Sequence, residues 1–383
     1  MTVSETAVPA TAEKPAFVGS PAAVQSIIQN IITHLETKYC VPSEGNAIAA
    51  GLRAKDNGEF PYSHNQSLPL LADLLNEELA RLSNDKHLQV VVRDEEILNP
   101  KPEPTEEKRE QITHAVVNEG SGEDWAEDYL NFNNGVTEVR VLDGNIGYLR
   151  IDLFPGSHLL GDTYAAAFQL LSNTLGLIID MRFNGGGDEN SPDLLLSYLM
   201  PPSRLPTVSM RDRTTNTTTT GHLYSVVPGK RYGADRPVWV LTSARTFSAA
   251  EHFTFCAKAS GRATIVGENT AGGGRSGNYE WIHPRMDIFI PSSVTWGELR
   301  GPLKGKDWEG VGVAPDVACT AAEAMDVAWK AGLEVSIPAL ESGGGKSWLK
   351  GRNVNKAKAA LKKIEEAAAA AAAGRVDLPV EAQ

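Results

Sequence analysis

The stretch Thr242-Ser243-Ala244-Arg245-Thr246-Phe247-Ser248-Ala249-Ala250-Glu251 follows an apolar run, Val238-Trp239-Val240-Leu241. It leads into a helical pattern carried by Ala249, Ala250, Phe253, Cys256 and Ala257. Ser248 therefore falls where a strand hands over to a helix. The first N–H groups of a helix have no intrahelical partner and face whatever reacts with that hydroxyl. Such a place suits a serine nucleophile that carries its own anion-stabilising donors. Serine is also a favoured N-cap, and taken alone that reading stands first. A second stretch, Asp180-Met181-Arg182-Phe183-Asn184-Gly185-Gly186-Gly187, is a strand end followed by a glycine cluster. Glycines accept positive φ and close backbone approach, so consecutive N–H groups can converge on one oxygen. A tight turn accounts for three glycines equally well. A phosphate loop fits less well, because no Lys-Ser/Thr pair follows.

Positioning these residues requires a folded core. Near the start, Val24, Ile27, Ile28, Ile31, Ile32 and Leu35 repeat at helical spacing. A break runs through Pro42 and Pro61. A second helix is expected with Ser67 as its cap and Leu71, Leu74, Leu75, Leu79 and Leu82 as its buried stripe. Leu88 to Val92 has β-branched strand character. From Val139 short β-rich runs alternate with helical ones, including strands at 147–151, 177–181, 238–241, 263–267 and 286–290. A helix from about Pro192, capped by Ser191, and a closing helix within 317–332 complete the pattern. Alternating strands and helices indicate a mixed α/β core. The expected organisation is a disordered extension over 1–20, a helical domain over 21–100, a connector over 101–138, a β/α core over 139–335 and a peripheral tail with an Ala-rich helix over 336–383.

The formal net charge of −12 and the absence of a sustained basic run argue against a nucleic-acid partner. No apolar run has the length that crosses a membrane. The first twenty residues lack the charged start and continuous apolar core of a signal peptide, so a cytoplasmic protein is expected. Cys40, Cys256 and Cys319 are odd in number and widely spaced, which suits buried thiols better than a metal site or disulfides. No metal or organic cofactor is implied.

The pairing of LIIDMRFNGGG with VWVLTSARTFSAAEHF resembles the S41 peptidases, a group that includes tail-specific proteases, the tricorn core and the interphotoreceptor retinoid-binding proteins. The resemblance extends to LLADLLNEELARLSNDKHLQVVV upstream and to ATIVGENTAGGG and WEGVGVAPDV downstream, covering most of residues 70–320. It is nearest to the retinoid-binding-protein-like subgroup without a PDZ domain. It implies a helical N-terminal domain and a crotonase/ClpP-like β/α spiral catalytic core. By the same resemblance Ser248 matches the nucleophile, His87 in NDKHLQV the general base, and Glu309 in DWEGVGVAPD the glutamate completing the charge network. Gly186 or Gly187, with the N–H of Ala249, match the oxyanion hole. The tail-specific lysine base has no counterpart in Thr270-Ala271-Gly272-Gly273-Gly274, which disfavours a Ser/Lys version. Where the tricorn core has a serine just before its histidine, this chain has Lys86.

These residue types suit the chemistry. A serine hydroxyl needs a neighbouring base, imidazole is the side chain best tuned for it, and a carboxylate orients the imidazole. The reaction expected is peptide-bond hydrolysis through an acyl-enzyme, with peptides or unfolded protein as substrate. The alternatives are an apolar-ligand carrier for retinoid- or fatty-acid-like molecules, or an esterase on the same scaffold. Glu251, one turn beyond Ser248, is expected to support that turn rather than to react. His252 and His283 are rival bases. Arg182 and Arg275 read as braces for acidic neighbours, and Trp281, Trp296 and Trp308 as packing residues.

Overall fold

Apolar residues at i, i+4 spacing give the first elements their buried faces. The computed structural model describes residues 21–56, 67–93, 129–343 and 348–376. The extension expected over 1–20 and most of the connector lie outside the described residues. The chain divides into two units, one of Met1–Glu103, Arg213–Thr215 and Gly277–Ser293, the other of Pro104–Asp212, Asn216–Ser276 and Val294–Gln383.

In the first unit, α1 (Pro21–Lys38) buries Ile27, Ile28, Ile31, Ile32 and Leu35. The expected break at Pro42 is instead the start of a helix, α2 (Pro42–Asp56). Proline suits a first helical position because its missing N–H would have had no partner there. α3 (Leu68–Leu82) is capped by Ser67, whose hydroxyl accepts the Leu70 N–H at 3.4 Å. Leu71, Leu75 and Leu79 are buried on its inner face. Leu75→Ala is expected to destabilise this unit by about 2–5 kcal/mol, because the lost side chain leaves a cavity. Urea unfolding followed by far-UV circular dichroism would show the lowered midpoint. β1 (Gln89–Val92) closes this part of the unit.

The second unit begins with an antiparallel hairpin of β2 (Val136–Leu142) and β3 (Ile146–Ile151). It continues through α4 (Ser157–Leu171), β4 (Gly176–Asp180) and α5 (Ser191–Leu199). Ser191 proves to be the first residue of α5 rather than its cap. Asn190 holds the cap position, and the Ser191 hydroxyl donates to the Pro155 carbonyl at 2.5 Å. A Thr-rich antiparallel pair follows, β5 (Pro206–Asp212) with β6 (Thr218–His222). Then come β7 (Val238–Thr242), α6 (Ala249–Ala259) and β8 (Thr264–Gly267).

β9 (Ser276–His283) and β10 (Met286–Gly297) largely return to the first unit, where β10 pairs antiparallel with β1, Gln89 opposite Phe289 and Val92 opposite Met286. A short β11 (Val317–Ala318) joins the second unit's sheet, whose order is β11-β8-β7-β4-β3-β2. Its inner strands are parallel, and every residue of β4 and β7 is buried. That burial explains their unbroken apolar runs, since a parallel strand is covered on both faces. Leu149, Leu177, Ile179 and Val240 pack under α4, α5 and α6. On the other face Tyr148, Ile178, Trp239 and Leu241 pack with Ala324 and Ala328 of α7 (Ala324–Ser342). The tail helix α8 (Trp348–Val376) docks on α7 through Ala357, Ala360 and Ile364. Only Cys256 is a fully buried thiol; Cys40 and Cys319 are half-buried, a correction to the expectation for all three. Among the described residues no helix is long and apolar enough to cross a membrane.

Candidate active site

β4 and β7 are parallel neighbours, so the loops that follow them leave the same edge of the sheet. Carboxyl ends of parallel strands are where sites gather in α/β folds. Here the two loops are stitched together. The Ser243 hydroxyl donates to the Arg182 carbonyl at 2.6 Å, the Thr246 hydroxyl to Met181 at 2.8 Å, and the Phe247 N–H to Asn184 at 3.1 Å. Ser248 follows with φ 53° and ψ −121°, a positive φ that a non-glycine residue adopts only when its surroundings hold it there. An added Cβ on Gly186 would lie 2.7 Å from the Ser248 Cβ, so only glycine fits opposite the serine.

The backbone N–H groups separate the two glycines named by sequence. The Gly186 N–H donates to Asn184 Oδ1 at 2.8 Å and is committed. The Phe154 N–H donates to the Gly186 carbonyl at 2.9 Å, and the Asp188 N–H donates to the Phe154 carbonyl at 2.7 Å. Between those two bonds the Gly187 N–H has no acceptor among the described residues. The first turn of α6 spends its donors on Ala250 N–H to Phe247 and on Glu251 and His252 N–H to Ser248, leaving the Ala249 N–H also without an acceptor among the described residues. Two unspent peptide donors therefore belong to the loops that meet at Ser248.

Glu251 is fully buried, and its carboxylate accepts the Ser248 N–H at 2.9 Å, the Thr270 hydroxyl at 2.5 Å and the Gly272 and Gly273 N–H groups at 2.6 Å each. Burial pushes its pKa up, against the lowering pull of those four donors. Glu309 Oε2 accepts the Gly274 N–H at 2.7 Å, and Arg275 Nε lies 3.9 Å from its Oε1. Arg182 braces Asp180 through Nη2 at 2.6 Å and reaches the Ala321 carbonyl. The bond to Asp180 holds the Arg182 guanidinium above its ordinary range.

His87 belongs to the first unit, whereas Ser248, Ala249, Glu251, Gly186, Gly187 and Glu309 belong to the second. Its ring is nearly buried and stacks on Phe289, with centroids 5.6 Å apart and planes at 29°. Asp85, which sequence reasoning did not single out, shapes this corner. Its Oδ1 accepts the His87 N–H at 3.0 Å and lies 3.9 Å from the ring's Nδ1, while Oδ2 accepts the Tyr39 hydroxyl at 3.0 Å. The only sequence signal was an Asp two residues ahead of the histidine, the spacing of an Asx turn.

The rivals are engaged elsewhere. His252 Nε2 lies 3.1 Å from Asp193 Oδ1, and its ring stacks on Trp308. His283 Nδ1 accepts the Arg285 N–H in the turn between β9 and β10. Trp308 is buried and donates to the Gly273 carbonyl at 2.7 Å, and Trp296 donates to Glu298.

Residues 145–319 match peptidase family S41, and residues 18–130 match the N-terminal domain of peptidase S41 in eukaryotic IRBP. Among solved structures, a candidate peptidase from Parabacteroides merdae is similar over 86% of this chain and 99% of its own, at 18% identity and a TM-score of 0.50, which shows a common fold. A lipoprotein from Streptococcus agalactiae covers 80% and 95% at 14% identity with a TM-score of 0.49. The photosystem II D1 C-terminal processing protease covers 78% and 93% at 17% identity with a TM-score of 0.46. With most of its length matched by two domains of one family, the chain belongs to peptidase family S41 and is a serine-type peptidase.

Proposed function

We propose that the chain hydrolyses peptide bonds of peptide or unfolded-protein substrates through an acyl-enzyme formed on Ser248. The observation that carries this reading is the Ser248 turn, with its positive φ and the unspent N–H groups of Gly187 and Ala249. In this scheme His87 takes the Ser248 proton as Oγ attacks the substrate carbonyl carbon. The two N–H groups stabilise the oxyanion of the tetrahedral intermediate, each contributing about 3 kcal/mol. Imidazolium then gives its proton to the leaving amine, and the C–N bond breaks. A water molecule, deprotonated by the same imidazole, releases the acid product and restores the hydroxyl. Glu309 orients the imidazole and stabilises its charged form. Asp85, already bonded to the His87 main chain, supports that ring from its own unit.

Labelling by a fluorophosphonate probe tests the assignment. The wild-type chain is expected to take one label, and His87→Ala to take it about 100-fold more slowly or less, as loss of a general base does. A folded wild type that never labels would overturn the hydrolase reading and favour an apolar-ligand carrier. Matched amide and ester substrates would separate a peptidase from an esterase.

A further inference from the structure

We infer that Glu251 is a positioning residue, one buried carboxylate that holds both the Ser248 main chain and the loop seating Glu309. The inference rests on the reading of Ser248 as the nucleophile. A carboxylate offers about four acceptor sites, and Glu251 fills them with four donors from two separate segments. One donor is the N–H of Ser248 itself, the residue held at positive φ. The other three come from Thr270, Gly272 and Gly273.

The same loop passes the constraint onward. The Gly272 carbonyl accepts the Gly310 N–H at 2.9 Å, and the Gly273 carbonyl accepts Trp308 Nε1 at 2.7 Å. Thr270 Oγ1 accepts the Val313 N–H at 2.7 Å while donating to Glu251. Gly274, the next residue, gives its N–H to Glu309. The loop thus binds Glu251 through N–H and hydroxyl donors, and returns two carbonyls and the N–H groups of Thr270 and Gly274 to the segment that contains Glu309. Gly272, at φ +88°, would bring a Cβ to 3.1 Å from the Gly310 carbonyl carbon, so the two segments lie in tight contact. Moving Glu251 would therefore shift the nucleophile's turn and the Glu309 seat together. A residue with this role touches no substrate, so its removal should slow the chemical step more than it weakens binding.

The isosteric Glu251→Gln makes the test sharp. Its amide keeps one acceptor and sets an NH2 against at least one peptide N–H, whichever way it turns. Glu251→Gln is expected to lower kcat about 100-fold with KM changed by no more than about three-fold, the scale of a displaced reacting group. Thr270→Val, which removes one of the four bonds together with the acceptor of the Val313 N–H, is expected to lower kcat about ten-fold. Both variants should still reach one fluorophosphonate label per folded chain, at rates slowed in parallel with kcat. Folding is checked by near-UV circular dichroism.

A folded Glu251→Gln that keeps kcat within about three-fold would overturn the inference. So would a variant that loses labelling sites while the remaining ones react at the wild-type rate, since that is loss of folded protein alone. If Glu251→Gln does not fold, Thr270→Val decides, and a full-rate Thr270→Val overturns the role. A wild type that takes no label removes the nucleophile reading itself, a failure visible before any variant is made.

Discussion

Replacing Ser248 by alanine is expected to lower kcat/KM for an internally quenched peptide by about 10⁶-fold, the scale seen when a nucleophile alone is removed. The residual rate would come from donors and binding contacts that the substitution leaves in place. Alanine meets the same backbone strain as serine at this positive φ, so the fold should change little in stability, within about 1 kcal/mol. The Glu251 carboxylate accepts the main-chain N–H of residue 248, a bond that survives the exchange. Activity and thermal unfolding measured together are decisive. A Ser248→Ala chain that melts like wild type and still cleaves at its rate would show that another residue performs the attack.

Gly187→Ala should have the second-largest effect, for a different reason. Gly187 has φ +133°, and an added Cβ would sit 2.0 Å from the Phe154 carbonyl oxygen. That oxygen already accepts the Asp188 N–H, so the methyl group must push apart the bridge that seats the loop. On the proposed assignment, the N–H of Gly187 would turn away from the oxyanion it is expected to stabilise. Loss of one such donor lowers kcat by about 10²–10³-fold. Gly185→Ala is the matched control, because its Cβ would meet nothing within 4 Å. Equal kinetics for the two alanine variants would remove Gly187 from the oxyanion site.

Legibility in the sequence followed the range of the interaction. The strands around Leu177–Asp180 and Val238–Leu241 were readable because burial on both faces leaves an unbroken apolar run. The α1 stripe was readable from its period. α2 was not, since Pro42 marks a helix start and a chain break equally well. The bond from Glu251 to the Ser248 N–H follows from a three-residue spacing, but its other donors lie about twenty residues downstream. The division of labour between Gly186 and Gly187 could not be read from a run of three identical residues. It depends on where the Asn184 side chain points. The packing of Ala357, Ala360 and Ile364 on α7 was hidden by the low apolar content of the tail.

The first unit is assembled from distant parts of the chain, and this sets an order of events during synthesis. β1 finds its partner two hundred residues later, where Gln89 meets Phe289, and Phe289 is also the ring beneath His87. At ribosomal speeds of about 5–20 residues per second, the wait is roughly ten to forty seconds. During that time the helical segment has emerged without the strand that covers its apolar face. Ser248 and the loop that bonds Glu251 are both synthesised before Phe289, the floor beneath the histidine. On the proposed assignment of Ser248 and His87, a growing chain would carry its nucleophile some time before its base is seated, and proteolysis would begin only once translation is well past the serine.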